Sequence, residues 1–215
     1  MIRVLALLLL AAALTPAEAR PRLKRVRGAA RRAVDPARWF ATRQGLIRVY
    51  QQRAPKARGR PVEDPPQGAG TSCEVVESRA AEAEVPPRTR ELCTWIVGKR
   101  PKLSTQLSYE LRQNGIYVVR METEGKASGA ERLVLPGPLR VGQRWKERRG
   151  GTVLDRRVKS AGKSCKAAGR AFGDCLVVAV SQRKGGKRMR FTETYAAGVG
   201  LVEDNDWQLV DVKGL

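Results

Sequence analysis

Two glycine pairs in the C-terminal half constrain the fold of this chain more than any other feature. Gly150-Gly151 and Gly185-Gly186 each join two runs that carry β-forming residues, within residues 139–204. A glycine pair between such runs is typical of a tight hairpin turn, because both turn residues need positive φ angles. This half of the sequence therefore predicts consecutive antiparallel hairpins.

Further strand patterns stand before and within that half. Residues 103–111 alternate apolar and polar positions, which is the period of a half-buried strand, and Asn114-Gly115 predicts the next turn. The return strand, residues 116–123, then places Tyr117, Val119 and Met121 on one face. Residues 164–174 are expected to form a small loop. The apolar run 175–180 predicts a strand covered on both faces at the centre of the core.

The fold class predicted from these patterns is all-β. Antiparallel hairpins are expected to form a curved sheet, a half-barrel or a sandwich, preceded by a disordered or helical N-terminal arm. Residues 36–215 are expected to make up a single antiparallel β domain, and residues 20–35 a basic flexible arm.

The first 19 residues have the pattern of a secretory signal peptide. Arg3 supplies a positive start, residues 4–14 are an apolar run, and Ala17-Glu18-Ala19 fits the cleavage rule. The run is too short to span a bilayer, which needs about 20 residues, although an uncleaved anchor is the alternative. No cysteine follows the cleavage position, so a lipid-modified start is not expected. We therefore expect export to the periplasm or the extracellular space.

The four cysteines also suggest an oxidising compartment. An even number of cysteines in an exported chain points to two disulfides. Three pairings are open, and sequence order favours Cys73 with Cys93 and Cys165 with Cys175. A metal site is the competing interpretation, but the sequence has no CxxC spacing and no histidine.

The formal net charge of +21 favours association with polyanions. Anionic envelope polymers, lipopolysaccharide and extracellular nucleic acid are the available partners, and a solvated basic surface without a partner is the alternative. Aromatic residues are only 5% of the chain, so specific nucleic-acid recognition by base stacking is not expected. Binding of a polyanion by the arm could be supported by four further basic residues, Arg144, Lys146, Arg148 and Arg149. The candidate contacts in the arm are Arg20, Arg22, Lys24, Arg25, Arg27, Arg31 and Arg32.

The absence of histidine narrows the chemistry further. Ser-His-Asp and Cys-His nucleophilic sites and HExxH zinc sites are all excluded. Four carboxylates could in principle act as catalytic pairs, namely Glu110, Glu122, Asp155 and Glu193, but their spacing in the sequence identifies no two of them as a pair. We therefore expect no catalytic residue, no cofactor and no metal ligand.

Several segments together resemble a known group of proteins. They include Trp39-Phe40 with Gly45 and Tyr50, Asn114-Gly115-Ile116-Tyr117, and the closing segment Tyr195-Ala196-Ala197-Gly198-Val199-Gly200-Leu201-Val202. The others are Leu135-Pro136 with Val141-Gly142 and Trp145, and Gly173-Asp174-Cys175-Leu176-Val177-Val178. This order is similar to a group of exported bacterial β-sheet proteins, often lipoprotein-like, that end in a Tyr-x-x-Gly-Val-Gly-Leu-Val motif. The chain departs from the group at Ala197, where proline is usual, and in lacking a lipid-attachment cysteine.

The resemblance implies an antiparallel β-sheet protein of the cell envelope without catalytic residues. The hairpin series, the disulfides and the missing acid-base residues favour a non-enzymatic protein with a binding or structural role. Polyanion binding through the basic arm is one alternative. A carrier of a lipid or other hydrophobic ligand is another, since β-sheets can curve around an apolar interior. Tyr117, Met121, Phe191 and Tyr195 would then line the site, and ordinary core packing is the other explanation for each of them.

Overall fold

The computed structural model describes residues 33–53, 69–83, 85–129 and 131–215. The predicted signal peptide, and the predicted arm up to residue 32 with all seven of its candidate contacts, lie outside these residues. A short 3-10 helix, Pro36–Trp39, comes first. The strands that follow are β1 Ile47–Gln52, β2 Ala69–Arg79, β3 Arg88–Val97, β4 Arg100–Arg112, β5 Gly115–Thr123, β6 Lys126–Ser128, β7 Arg132–Pro136, β8 Arg144–Arg149, β9 Thr152–Ala167, β10 Arg170–Lys184, β11 Lys187–Ala196, β12 Gly200–Glu203 and β13 Trp207–Lys213.

All of these strands belong to one antiparallel sheet, which confirms the predicted all-β class. Its order is β6-β5-β4-β3-β2-β1-β13-β12-β11-β10-β9-β8, and β7 pairs with β5 beside β6. The sheet is curved and open, so that β8 ends it on one side and β6 with β7 on the other. Most neighbours are joined by hairpins, because antiparallel strands can be connected by a few residues.

The two glycine pairs form the turns that the sequence predicts. Arg149 pairs with Thr152 around Gly150-Gly151, and Lys184 pairs with Lys187 around Gly185-Gly186. The φ angles of these glycines are 47°, 74°, 52° and 75°, a region that side-chain-bearing residues rarely adopt. The turn predicted at Asn114-Gly115 lies one residue earlier, because Arg112 already pairs with Gly115.

Two expectations for the segment around β10 were wrong. Residues 164–174 are not a loop, since β9 and β10 continue through them and only Ala168 and Gly169 turn the chain. The run 175–180 is a core strand, but it is not covered on both faces. Leu176 and Val178 are fully buried, whereas Val177 and Ala179 lie half-buried on the outer face. A sheet with one face on the core requires only alternate residues to be buried.

The face predicted for the return strand β5 was also wrong. Tyr109 pairs with Val118 and Ser108 pairs with Arg120, which leaves Val119 as an extra residue. Such a β-bulge reverses the alternation of side chains along the rest of the strand. Ile116 and Val118 are therefore buried, while Tyr117 and Val119 lie half-buried.

The core lies on the concave face of the sheet, which we call the inner face; the other is the outer face. One apolar cluster joins β4, β5 and β7 to β8–β11 and contains Trp39, Tyr109, Ile116, Leu135, Trp145, Val158, Leu176 and Tyr195. The second contains Leu46, Tyr50, Val75, Val199, Val202, Leu209 and Val212. Because the first cluster draws on strands from both ends of the sheet, the curvature brings those ends together.

A few contacts bind the segment that contains the 3-10 helix to the rest of the domain. Val34 and Leu139 exchange two backbone hydrogen bonds, of 3.0 and 2.8 Å. The Trp39 indole donates to Asp174 at 3.2 Å, and Arg38 forms an ion pair with the same carboxylate. These bonds hold the 3-10 helix against the beginning of β10.

The cysteines are joined in the order that the sequence favours. Cys73 bonds to Cys93 between β2 and β3, and Cys165 bonds to Cys175 between β9 and β10. Within the described residues, no helix is long and apolar enough to cross a membrane.

Candidate functional site

A buried ion pair lies on the inner face between β1 and β3. Arg48 is 5% exposed and Glu91 is 3% exposed, and the guanidinium donates to the carboxylate. Burial raises the pKa of Glu91, and the Arg48 charge opposes that shift. The rings of Tyr50 and Tyr109 enclose the pair, and burial raises the pKa of Tyr50 to about 12. Both tyrosines therefore stay protonated at neutral pH.

Gly200 of the Tyr195–Val202 segment makes room for Arg48. A Cβ on Gly200 would lie 2.8 Å from Nη1 of Arg48, and the φ angle of Gly200 is +90°. A glycine at position 200 is thus explained by the backbone conformation and by the space that a buried guanidinium needs.

A second set of charges forms a ladder that crosses β7, β8, β9 and β11. Arg156 donates to both oxygens of Glu193, at 3.1 and 3.0 Å, and to Glu147. Nε of Arg132 lies 3.4 Å from Glu147, and the Tyr195 hydroxyl donates to Glu193 at 3.0 Å. Burial lowers the pKa of Arg156, but the two carboxylates raise it by more, so the guanidinium stays charged. The contact between Arg132 of β7 and Glu147 of β8 thus links the two edges of the sheet on the inner face.

The outer face of β8–β11 carries a group of exposed cations. Rows of paired residues run across the strands, such as Arg144 with Arg157 and Arg183 with Arg188. Asp155 is the acidic residue among them. We call this surface the basic face, and its cations are Arg144, Lys146, Arg148, Arg157, Lys159, Arg183, Arg188 and Arg190.

None of these cations forms an ion pair with a carboxylate among the residues that the structure describes. Part of the basic face is a shallow groove of about 690 Å³, lined by Arg144, Arg157, Arg188 and Arg190. Alternate residues on a strand are about 6.6 Å apart and neighbouring strands about 4.8 Å apart. The face is therefore a regular array of positive charges.

A smaller pocket lies where the two ends of the sheet approach each other, and we call it the seam pocket. Its volume is about 420 Å³, and its lining comes from β5, β6 and β7 on one side and from β8 on the other. Val118, Met121 and Leu133 supply apolar surface, whereas Lys146 and Arg148 bring the basic face to its rim.

The structure places the sequence-predicted site residues in different surroundings. Of the carboxylates, Glu110 binds Arg88 and Arg112, Glu122 binds Arg120, Glu193 belongs to the ladder, and Asp155 lies on the basic face. Lys146 and Arg148 are exposed, and Arg149 ends β8. Of the expected lining residues, Met121 lines the seam pocket, Tyr117 stacks on the Arg112 guanidinium at 4.7 Å, Phe191 packs against the first cluster, and Tyr195 is buried.

Sequence reasoning missed the buried arginines and most of the basic face. Arg48 and Arg156 stand in strand segments with no local sign of a buried partner. The basic residues of β9–β11 could have been found from the run 183–190, which carries five of them around one glycine pair. Within the described residues, no group of cysteine, aspartate and glutamate side chains could hold a metal ion.

Comparison with known proteins finds structures that are similar to this one at low sequence identity. No protein-family model and no curated protein matches the sequence. A protein from Bacteroides fragilis, described as a predicted exported protein with a YmcC-like fold, matches at 11% identity and a TM-score of 0.49, over 81% of this chain and 98% of that one. A predicted lipoprotein from Parabacteroides distasonis matches at 13% identity and a TM-score of 0.48, over the same shares of the two chains.

Proposed function

We propose that this is a non-enzymatic, exported binding protein that attaches to an anionic polymer of the cell envelope through the basic face. The single observation that carries the proposal is the array of exposed cations on β8–β11 without carboxylate partners in the described part of the chain. Exposed cations repel one another, and a polyanion relieves that repulsion when it binds.

The arrangement of the charges supports a polymer rather than a small anion. The cations extend across four strands, and the groove that runs among them is shallow. A shallow surface encloses little of a small molecule, whereas a chain with repeated negative charges can contact several rows at once. Each cation near an anionic surface contributes about 1 kcal/mol, so the contacts add up along the polymer.

Two disulfides fit a protein that works outside the cytoplasm, because such bonds persist in oxidising compartments. The absence of histidine from the sequence and the pairing of Glu110, Glu122 and Glu193 with arginines support a binding role over a catalytic one.

The test compares two triple variants of equal net charge. The face variant carries Arg157→Gln, Lys159→Gln and Arg190→Gln, while the control carries Lys99→Gln, Arg100→Gln and Lys102→Gln at the β3–β4 hairpin. All six positions are exposed. Affinity for purified lipopolysaccharide and for inorganic polyphosphate is measured by surface plasmon resonance at increasing salt.

The face variant is expected to lose about 3 kcal/mol of binding free energy at low salt, roughly a hundredfold in affinity. The control should lose much less, and the affinity of the unaltered protein should fall steeply with salt. Equal losses in the two variants would show that net charge alone drives the binding and would overturn the proposal. A chain lacking residues 20–32 measures the share of the arm in the same assay.

A further inference from the structure

The seam pocket combines apolar surface with positive charge at the place where the sheet ends. Among the described strands, β8 has a sheet neighbour on one side only, so side chains from both of its faces reach the seam. Glu147 points to the ladder, and Lys146 and Arg148 belong to the basic face, yet all three line the pocket. A volume of about 420 Å³ lies in the range of ligand sites, roughly 300 to 1,000 Å³.

Two carboxylates line the pocket among the described residues, Glu131 and Glu147, and arginines neutralise both. Glu131 accepts two hydrogen bonds from Arg112, both of 2.7 Å. Glu147 is held by Arg156 and lies 3.4 Å from Arg132. The positive charges of Lys146 and Arg148 therefore remain without carboxylate partners among the described residues, and the net field at the rim is positive.

The opposite part of the lining is apolar and belongs to rigid strands. Val118 is 4% exposed, and Met121 and Leu133 are half-buried beside it on β5 and β7. Leu133 packs against the first apolar cluster, which fixes its position. Methionine adapts its shape to irregular apolar ligands. The pocket thus has an apolar floor and a cationic rim.

We propose that the seam pocket binds a single-chain anionic lipid, with the acyl chain on Val118, Met121 and Leu133 and the phosphate on Lys146 and Arg148. This inference rests on the proposed function, because the phosphate uses two cations of the basic face. It identifies the bound class more narrowly: a phosphate that carries an acyl chain binds more tightly than the same phosphate without one. Each buried methylene contributes about 0.8 kcal/mol.

The experiment uses 1-oleoyl-lysophosphatidate below its micelle concentration as the lipid, glycerol 3-phosphate as the chain-free phosphate, and inorganic polyphosphate as the polymer. Binding to the full chain is measured by isothermal titration calorimetry. The blocking variants are Ser128→Trp, which fills the pocket from the exposed end of β6, and Met121→Glu, which adds a negative charge to its floor. Circular dichroism and thermal unfolding check that each variant is folded.

Lysophosphatidate is expected to bind at least about tenfold more tightly than glycerol 3-phosphate. Both blocking variants and the double variant Lys146→Ala/Arg148→Ala should weaken that binding about tenfold or more. The face variant Arg157→Gln/Lys159→Gln/Arg190→Gln should keep lipid binding while it loses polyphosphate.

Equal affinities for lysophosphatidate and glycerol 3-phosphate would overturn the inference, as would undiminished lipid binding in folded Ser128→Trp and Met121→Glu. Failure of the polymer proposal looks different, because the affinity for polyphosphate would then fall equally in the face variant and in the control variant Lys99→Gln/Arg100→Gln/Lys102→Gln.

Discussion

The guanidinium of Arg48 donates to the carboxylate of Glu91 inside the curved sheet, across 43 residues of sequence. Both groups are almost fully buried, and the pair connects β1 with β3 across β2. Two charges removed from water stabilise a protein only when they neutralise each other, since the desolvation cost of each is several kcal/mol. The contribution of each residue of the pair to stability is therefore expected to depend strongly on the presence of the other.

Replacing one member of this pair should be far more harmful than replacing both. Glu91→Gln leaves the Arg48 charge buried without its counter-charge, and we expect a loss of about 3–5 kcal/mol in unfolding free energy. The double variant Arg48→Met/Glu91→Leu buries apolar groups instead, and should be within about 1 kcal/mol of the unaltered protein or more stable. Urea unfolding followed by tryptophan fluorescence measures both. Additive losses would contradict the coupling.

Gly200 should tolerate alanine less well than Gly198, although both have positive φ angles. Gly198→Ala enters open space at φ +71°, so it should cost only the conformational strain of about 1–2 kcal/mol. Gly200→Ala adds a methyl group 2.8 Å from Nη1 of Arg48, which the pair with Glu91 prevents from moving. We expect a loss larger by about 1–3 kcal/mol.

The same substitution in the Arg48→Met/Glu91→Leu background separates the two causes. There the guanidinium is gone, so the cost of Gly200→Ala should fall toward that of Gly198→Ala. An unchanged cost would mean that the backbone conformation alone explains the glycine.

The contrast between the turns and the buried charges shows what could be predicted from the sequence. A glycine pair between β-forming runs specifies its turn locally, so Gly150-Gly151 and Gly185-Gly186 were found with the correct residues. The burial of Arg48 depends on Glu91, whose distance is set by the register of three strands. In the sequence, Ile47 and Val49 suggest the opposite face of the same strand. The basic face could not be predicted for the same reason, since only the register of the strands places the cations of β8 and β11 on one surface.

Bulges limited the prediction of faces in a similar way. Val119 is an extra residue between two regular stretches of pairing, and it moves Val118 rather than Tyr117 into the core. Nothing in the local alternation marks its position. The seam pocket depends on how strongly the whole sheet curves, which no single segment determines.

Glu110 should contribute stability that disappears in acid. Although burial opposes the shift, hydrogen bonds from Arg112 and Arg88 hold the pKa of Glu110 below its ordinary value of 4.5. A carboxyl whose pKa is lower in the folded state stabilises the fold above its unfolded pKa, and this contribution is lost as the pH falls through the folded pKa. Glu110→Gln should therefore cost about 1–2 kcal/mol at pH 7 and progressively less below a pH of about 4.

The measurement is the unfolding free energy of both proteins in urea from pH 7 down to acid. Glu122→Gln serves as the control, because Glu122 binds the exposed Arg120 and such surface pairs contribute less than about 1 kcal/mol. A loss for Glu110→Gln that stayed constant down to the lowest pH would rule out the linkage.

The two disulfides should stabilise the protein without determining its fold. Cys73–Cys93 joins positions 20 residues apart and Cys165–Cys175 positions 10 residues apart. The chain-entropy model gives about 3 kcal/mol for each, since the cost of loop closure rises only slowly with length. Each bond joins strands that already pair through their backbones in hairpins. The variants Cys73→Ala/Cys93→Ala and Cys165→Ala/Cys175→Ala should therefore keep the far-ultraviolet circular dichroism of the unaltered protein.

Urea unfolding with and without a reductant distinguishes the cross-link from the packing of the sulfurs. Reductant should lower the unfolding free energy of the unaltered protein by less than the summed losses of the two double variants, and it should leave the quadruple alanine variant unchanged. Cys175 is fully buried, so its alanine variant also loses apolar contact that reduction retains. Reduction of the Cys73→Ala/Cys93→Ala variant breaks only Cys165–Cys175, so the excess of the Cys165→Ala/Cys175→Ala loss over that effect measures the contact. Loss of β-sheet signal in either variant would show that the bonds also specify the strand pairing.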